Sequence, residues 1–279
     1  MLPLSRILVP VDFSDHSLGM IPYVKQIARN YKAEIILLHV VNPVYAIPAT
    51  GITTATMVDL PEWVFTMQAK RLDEFATPEL NGFSVRRLIY EGEPDAQIIA
   101  TARAEDVHLV IMPTHGYGVF RKFLIGSVTA KVLHDLEIPV LTGAHLGDSE
   151  GPGKTKISNL VCALGAGPHR TDTLTWAARL ASDFQAVLSV VHAIPRAGHD
   201  VDEDTARQEI GRLLTSVGVR NTSICIPKGD MAHTVSEYAK SVGADLLVIG
   251  RGSKDSQGGR LRSNSYGIIR QSHCPVLSV

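Results

Sequence analysis

EGEPDAQIIATARAEDVHLVIMP (residues 91–113) and KGDMAHTVSEYAKSVGADLLVIG (228–250) align end to end without a gap. Each holds a turn with glycine and an acidic residue, then apolar residues at three- and four-residue intervals, then a short run apolar on both sides. That order reads as turn, amphipathic helix and buried strand. Two such passages in one chain ask whether everything around them is repeated as well.

It is. SRILVPVDFSDHS (5–17) is echoed by SNLVCALGAGPHR (158–170), and AEIILLHVV (33–41) by AVLSVVHAI (186–194), with His39 and His192 in matching places. LEIPVL (136–141) returns as SHCPVL (272–277). The chain is therefore two copies of a unit of about 140 residues. The stretch GAHLGDSEGPGKTK (143–156) mixes glycine, proline and charge with no period, as an exposed linker does. The expected division is 1–143, a linker at 144–156, and 157–279.

Within each copy, strand-like runs (RILVPV, EIILLHVV, SVRRLIY, HLVIMP, IPVLTG) alternate with helical stretches such as HSLGMIPYVKQIARNYK. Strand and helix in alternation predict an α/β fold, doubly wound, with right-handed crossovers. Two tandem domains follow, each a five-stranded parallel sheet with about four helices covering both faces.

Composition narrows the function classes. At 279 residues, with 45% hydrophobic and 20% charged residues, the chain has enough apolar material for packed cores. A formal net charge of -1, from 27 basic and 28 acidic residues, argues against nucleic acid as a main partner. No apolar run approaches the ~20 residues that cross a bilayer, so no membrane association is expected. The three cysteines, Cys162, Cys225 and Cys274, are widely spaced, sit in or beside apolar runs and form no CxxC pair. They read as small buried hydrophobes in a cytoplasmic, reducing setting.

In an open parallel sheet, ligands bind outside the carboxyl ends of the strands, where strand order reverses. In the first copy this places Pro10, Val11 and Asp12 after the first strand, Val40 at the end of the second, and Met112 and Pro113 through Gly116 after the fourth. The loop then runs through Arg121 and Lys122 to a helix start at Gly126, Ser127, Val128 and Thr129. Unpaired amides at a helix start, a glycine that admits close approach, and two hydroxyls make a phosphate cradle. Plainer readings stand beside it: Ser127 as a helix cap, Arg121 and Lys122 as a solvated pair, His115 as a turn residue and His39 as a hydrogen-bonded structural residue. Asp12 could cap the following helix, although Ser14 and Asp15 are better placed to do so.

These residues resemble those of the universal stress protein family. Its loop has the form G-x-x-G, nine residues, then G-S/T, and here the nine are Tyr117 to Ile125 between Gly116 and Gly126-Ser127. VDFSDHS and EGEP before an amphipathic helix fit as well. The resemblance covers nearly the whole chain as two tandem domains and implies an adenine nucleotide alpha hydrolase-like fold. It also implies ATP as ligand, with Mg2+ or Mn2+ bridging the phosphates. Asp12 would meet the ribose or adenine side, the Val40 backbone the adenine, and Gly116, Gly126, Ser127 and Thr129 the ribose and phosphates. One departure is Pro113, which stands at the first glycine of that loop and has no N–H to offer.

The second copy departs further. Asp12 becomes Gly165, Gly116 becomes Ser253, and Gly126 falls at Arg262, while Gly250 keeps the first loop glycine. Lys254, Arg260 and Arg262 either bind another anion or fill and silence the cleft. The second copy then serves as a structural partner. The edge segments IPVLTG and CPVLSV are expected to pair antiparallel across a pseudo-two-fold axis, within the chain or in a homodimer.

No HExxH, GxSxG, GxxxxGK[ST], SGGxDS or HIGH signature is present. Three functions remain open: a nucleotide-binding stress or signalling protein, a scaffold that binds no nucleotide, and a weak ATPase. The segment 42–63, which has no equivalent in the second copy, reads as a lid or a surface loop.

Overall fold

The computed structural model of the chain describes residues 4–42, 44–46, 56–58, 61–116, 125–143, 156–165, 167, 169–194, 202–251 and 263–279. Its contacts group into two units, Met1–Ile111 and Met112–Val279.

The first unit holds β1 (Arg6–Pro10), α1 (Asp15–Tyr31), β2 (Glu34–Val41), β3 (Val44–Ala46), β4 (Thr56–Val58), α2 (Glu62–Glu74), β5 (Val85–Glu91), α3 (Pro94–Ala104) and the start of β6 (Leu109–Pro113). Its sheet runs β6-β1-β2-β5. All three pairings are parallel, with Ile7 opposite both Ile35 and Leu109, and Leu37 opposite Arg87. Ile7, Leu8, Ile35, Ile36 and Leu37 are wholly buried. Consecutive residues on a strand face opposite sides, so their joint burial means that both faces of the sheet are covered. On α1 the buried residues are Ser17, Met20, Ile21, Tyr23, Val24, Ile27 and Ala28, at the three- and four-residue spacing expected of a covering helix.

The second unit adds α4 (Ser127–Asp135), β7 (Val140–Gly143), β8 (Asn159–Ala163), α5 (Arg170–Phe184), β9 (Val187–Val191), α6 (Glu203–Ser216), β10 (Ser223–Cys225), α7 (Met231–Ser241), β11 (Leu246–Ile249), α8 (Ser263–Gln271) and β12 (Val276–Ser278). Its strand order is β10-β9-β8-β11-β12-β7. Each pairing is parallel except β12 with β7, which is antiparallel with Leu277 opposite Leu141. The edge pairing expected of IPVLTG and CPVLSV is thus made inside one chain. Contact grouping and sequence repeat partition the chain differently because α4 and β7, the end of the first repeat, pack with the second.

The repeat is visible in backbone detail. Helix α1 ends at Lys32 (φ 52°) and α5 at Gln185 (φ 53°), both left-handed, and each feeds an alanine into the next strand. Within segment 42–63, β3 and β4 pair antiparallel, and Glu62 and Trp63 already belong to α2. Residues 43, 47–55, 59 and 60 of that segment lie outside the described residues.

Candidate functional site

In the first unit the carboxyl ends of β1 and β2 diverge. Pairing of β1 with β2 stops at Pro10–Leu38, followed by one hydrogen bond from the Val11 amide to the Leu38 carbonyl. Strand β5 continues beside β2 to Val41, so the Val40 backbone has a strand partner on one side only. The loop after β1 is a tight knot. Asp12 Oδ1 accepts from the Ser14 amide (3.0 Å), the Ser14 hydroxyl (2.6 Å) and the Ser17 hydroxyl (2.5 Å). Ser14 caps α1 by accepting from the Ser17 amide at 3.2 Å, as its position before the helix suggested. Asp12 therefore holds the entrance of α1 with one oxygen.

The bond from the Ser14 amide back to Asp12 is an Asx-turn, and Phe13 at its centre takes φ 63°, a costly conformation for a bulky residue. Its neighbours compensate. The ring lies 4.4 Å from His39 and 5.9 Å from Phe75, and the Arg71 guanidinium sits 4.3 Å over it. His39 bonds the Val11 carbonyl through Nδ1 at 2.7 Å. Burial lowers its pKa from the ordinary value; the Val11 bond and Asp12 oppose this, and Arg71 adds to it. Sequence reading found His39 but missed Phe13, Arg71 and Phe75, and no signal pointed to them because the second copy has Ala166 in place of Phe13.

In the second unit the end of β6 leads into the cradle. Thr114 and Gly116 are described, while Tyr117 to Leu124, with Arg121 and Lys122, lie outside the described residues. Helix α4 begins at Ser127, with Gly126 as N-cap (φ -62°, ψ 152°) and no side-chain cap. Ser127 is thus the first helical residue rather than the cap, and it is exposed. The Gly126 amide is already bound to the Thr114 carbonyl at 2.7 Å, and the Thr129 hydroxyl to the Pro113 carbonyl at 3.1 Å. What this end offers an anion is the first-turn amides of Ser127, Val128 and Thr129 and the Ser127 hydroxyl. A Cβ on Gly126 would meet only ordinary contacts, 3.4 Å to the Thr114 carbonyl oxygen and 3.5 Å to His115 Cα. Packing among the described residues does not demand glycine there.

The second repeat keeps the frame and loses the groups. His192 Nδ1 meets the Leu164 carbonyl at 2.7 Å, the counterpart of the bond between His39 and Val11. Gly165 stands at the place of Asp12, and a Cβ there would meet nothing within 4 Å among the described residues. Gly250 is explained by packing, since its Cβ would lie 2.7 Å from Thr173 Oγ1. Residues 252–262, with Ser253, Lys254, Arg260 and Arg262, lie outside the described residues.

The sequence pattern of the universal stress protein family matches residues 3–142 and again 156–279. The chain belongs to the universal stress protein family. A universal stress protein of Methanocaldococcus jannaschii is 29% identical over 149 residues, 49% of this chain and 92% of that protein. One from Mycolicibacterium smegmatis is 25% identical over 288 residues, 98% of this chain and 96% of its own length, so it shares the tandem extent. Among solved structures, a universal stress protein from Archaeoglobus fulgidus has a TM-score of 0.76 at 21% identity, covering 99% of this chain and 98% of its own. At that identity the likeness speaks to the fold. This universal stress protein has no described helix long and apolar enough to cross a membrane.

Proposed function

We propose that the first repeat of this universal stress protein binds ATP and that the second is its structural partner, so that nucleotide occupancy governs a cytoplasmic stress or signalling role. The observation that carries this is the start of α4. It has no side-chain cap, its first-turn amides stand beside an exposed serine, and packing among the described residues does not require the preceding glycine. By the family resemblance, Asp12 meets the ribose or adenine side, the Val40 backbone the adenine, and Gly116, Gly126, Ser127 and Thr129 the ribose and phosphates; Pro10, Val11, Met112, Pro113 and Val128 complete the candidate set from the strand ends and the loop. With the Gly126 amide and Thr129 hydroxyl engaged inside the protein, the Ser127 hydroxyl and the first-turn amides carry the phosphate contact. Any Mg2+ or Mn2+ ion arrives with the nucleotide, because no three His, Cys, Asp or Glu side chains gather among the described residues.

Titration calorimetry of the full chain with ATP and Mg2+ tests this. Saturable binding that disappears in Gly126→Arg, with thermal unfolding unchanged, is the expected result. Absence of heat at millimolar ATP, together with no nucleotide released from freshly purified protein, overturns it in favour of a scaffold.

A further inference from the structure

Arg251 follows β11 by two residues and is 3% exposed. Its guanidinium reaches the end of α4, in the other repeat. Nη1 donates to the carbonyls of Leu133 (3.3 Å) and Leu136 (2.8 Å), and Nη2 to those of Glu137 (3.3 Å) and Ile138 (2.5 Å). A helix end leaves carbonyls without intrahelical partners and carries partial negative charge. Helix α4 closes on Leu136 in an extended conformation (φ -84°, ψ 137°), without the left-handed turn that usually satisfies such groups. A planar, permanently charged fork with several donors suits this task better than a lysine ammonium.

The gapless alignment puts Arg251 at the place of Thr114. Their backbones behave alike: the Thr114 amide donates to the Gly143 carbonyl (3.2 Å), and the Arg251 amide to that of Val279 (2.9 Å). Their side chains do not. The Thr114 hydroxyl turns back to the Gly143 carbonyl, in its own repeat, at 3.1 Å. The exits of the two helices differ in the complementary way. At the end of α8, the Ser272 hydroxyl donates to the Cys274 carbonyl at 2.7 Å. Cys274 is the counterpart of Ile138, so the exit of α8 is closed from within and that of α4 from the other repeat.

The geometry points to Arg251 as a key that makes the unlike repeats pair through β7 and β12 and disfavours pairing of like with like. A second copy of the first repeat would bring Thr114 to the α4 exit, and its short hydroxyl, turned to the Gly143 carbonyl, cannot replace the four Arg251 bonds. A second copy of the second repeat would bring Arg251 to an exit where the Ser272 hydroxyl competes for the Cys274 carbonyl. IPVLTG and CPVLSV are similar enough as edge strands that sequence alone would allow either self-pairing. The buried arginine removes that degeneracy, because a charged fork is costly to bury anywhere its donors are not met. The surface formed by β7 and the α4 exit is thus built for the second repeat as its occupant, whether or not ATP binds.

The test uses the full chain with Arg251→Met and Arg251→Lys, read by amide hydrogen exchange and sedimentation. In Arg251→Met, exchange at 132–142 and 276–278 should quicken about tenfold or more, while 188–191 in β9 stays protected. The freed edges should raise the dimer fraction above wild type at equal concentration. Arg251→Lys, with the charge but not the fork, should fall between the two. Unchanged exchange or an unchanged dimer fraction in Arg251→Met overturns the proposal. So does equal quickening at 188–191, which would make Arg251 a general stabiliser, or full wild-type protection in Arg251→Lys.

Discussion

His39 Nδ1 lies 2.7 Å from the Val11 carbonyl oxygen, and through that bond the second strand is tied to the residue just beyond the first. Burial of the ring lowers its pKa below 6.5, a shift the Val11 bond and Asp12 oppose and Arg71 reinforces. The sign follows from linkage. Above an unfolded pKa of about 6.5 both states are neutral at this group, and its contribution is fully present. As the pH falls, the unfolded chain takes the proton first, and stability is lost until the lower folded pKa is passed. His273, also lowered chiefly by burial, works in the same direction. Urea unfolding from pH 8 downward should show falling stability below about 6.5, with a shallower fall in His39→Gln. An identical slope in that variant would show that the imidazole does not titrate with folding.

Asp12 serves the fold before any ligand. Asp12→Ala strips one acceptor from three donors at the entrance of α1 and should cost about 1–3 kcal/mol. Asp12→Asn keeps an acceptor oxygen and should cost less than about 1 kcal/mol. Nucleotide binding is therefore best probed with asparagine, and chemical denaturation of the two variants side by side checks the difference.

Gly250 and Gly165 make opposite predictions although both are glycines at the mouth of the second repeat. A Cβ at Gly250 would stand 2.7 Å from Thr173 Oγ1, on a buried side chain already bonded to the His169 carbonyl. Gly250→Ala should destabilise by about 1–3 kcal/mol, and adding Thr173→Ala should return part of that loss. Gly165→Ala meets nothing within 4 Å and should stay within about 0.5 kcal/mol. A double-mutant cycle on thermal unfolding measures the coupling.

The cysteines should be poor nucleophiles in the folded protein. Burial pushes the Cys274 thiol up to about 11 and raises Cys162 further, while Cys225, only partly buried, is raised less severely. Iodoacetamide at pH 8 should label Cys225 first and reach Cys162 and Cys274 only on unfolding. Rapid labelling of Cys162 in native protein would contradict the burial described.

Local chemistry reached a long way. Alternating periods and a gapless internal match were enough for two α/β units, because strand and helix each leave a hydrophobic period in the chain and duplication leaves the same period twice. Ser14 was readable as a cap because its partner is the Ser17 amide three residues on, and His39 as a bonded histidine because its partner lies just past the neighbouring strand end. Of the two readings open for Ser127, cap or outward hydroxyl, the cap falls one residue away at Gly126, since the hydroxyl and the glycine before it satisfy the same local rule. The groups around Phe13 left no trace in sequence, because Arg71 and Phe75 come from a helix some sixty residues on.

What the sequence determined by itself is the pair of units, their strand-and-helix order and the line of residues at their carboxyl edges. Tertiary structure alone decided that Gly250 answers to Thr173, and that the end of the first repeat is completed by an arginine of the second. The physical reason is range: hydrophobic periodicity is written between neighbours, whereas a carbonyl at Ile138 and a guanidinium at Arg251 meet only after β7 and β12 have paired.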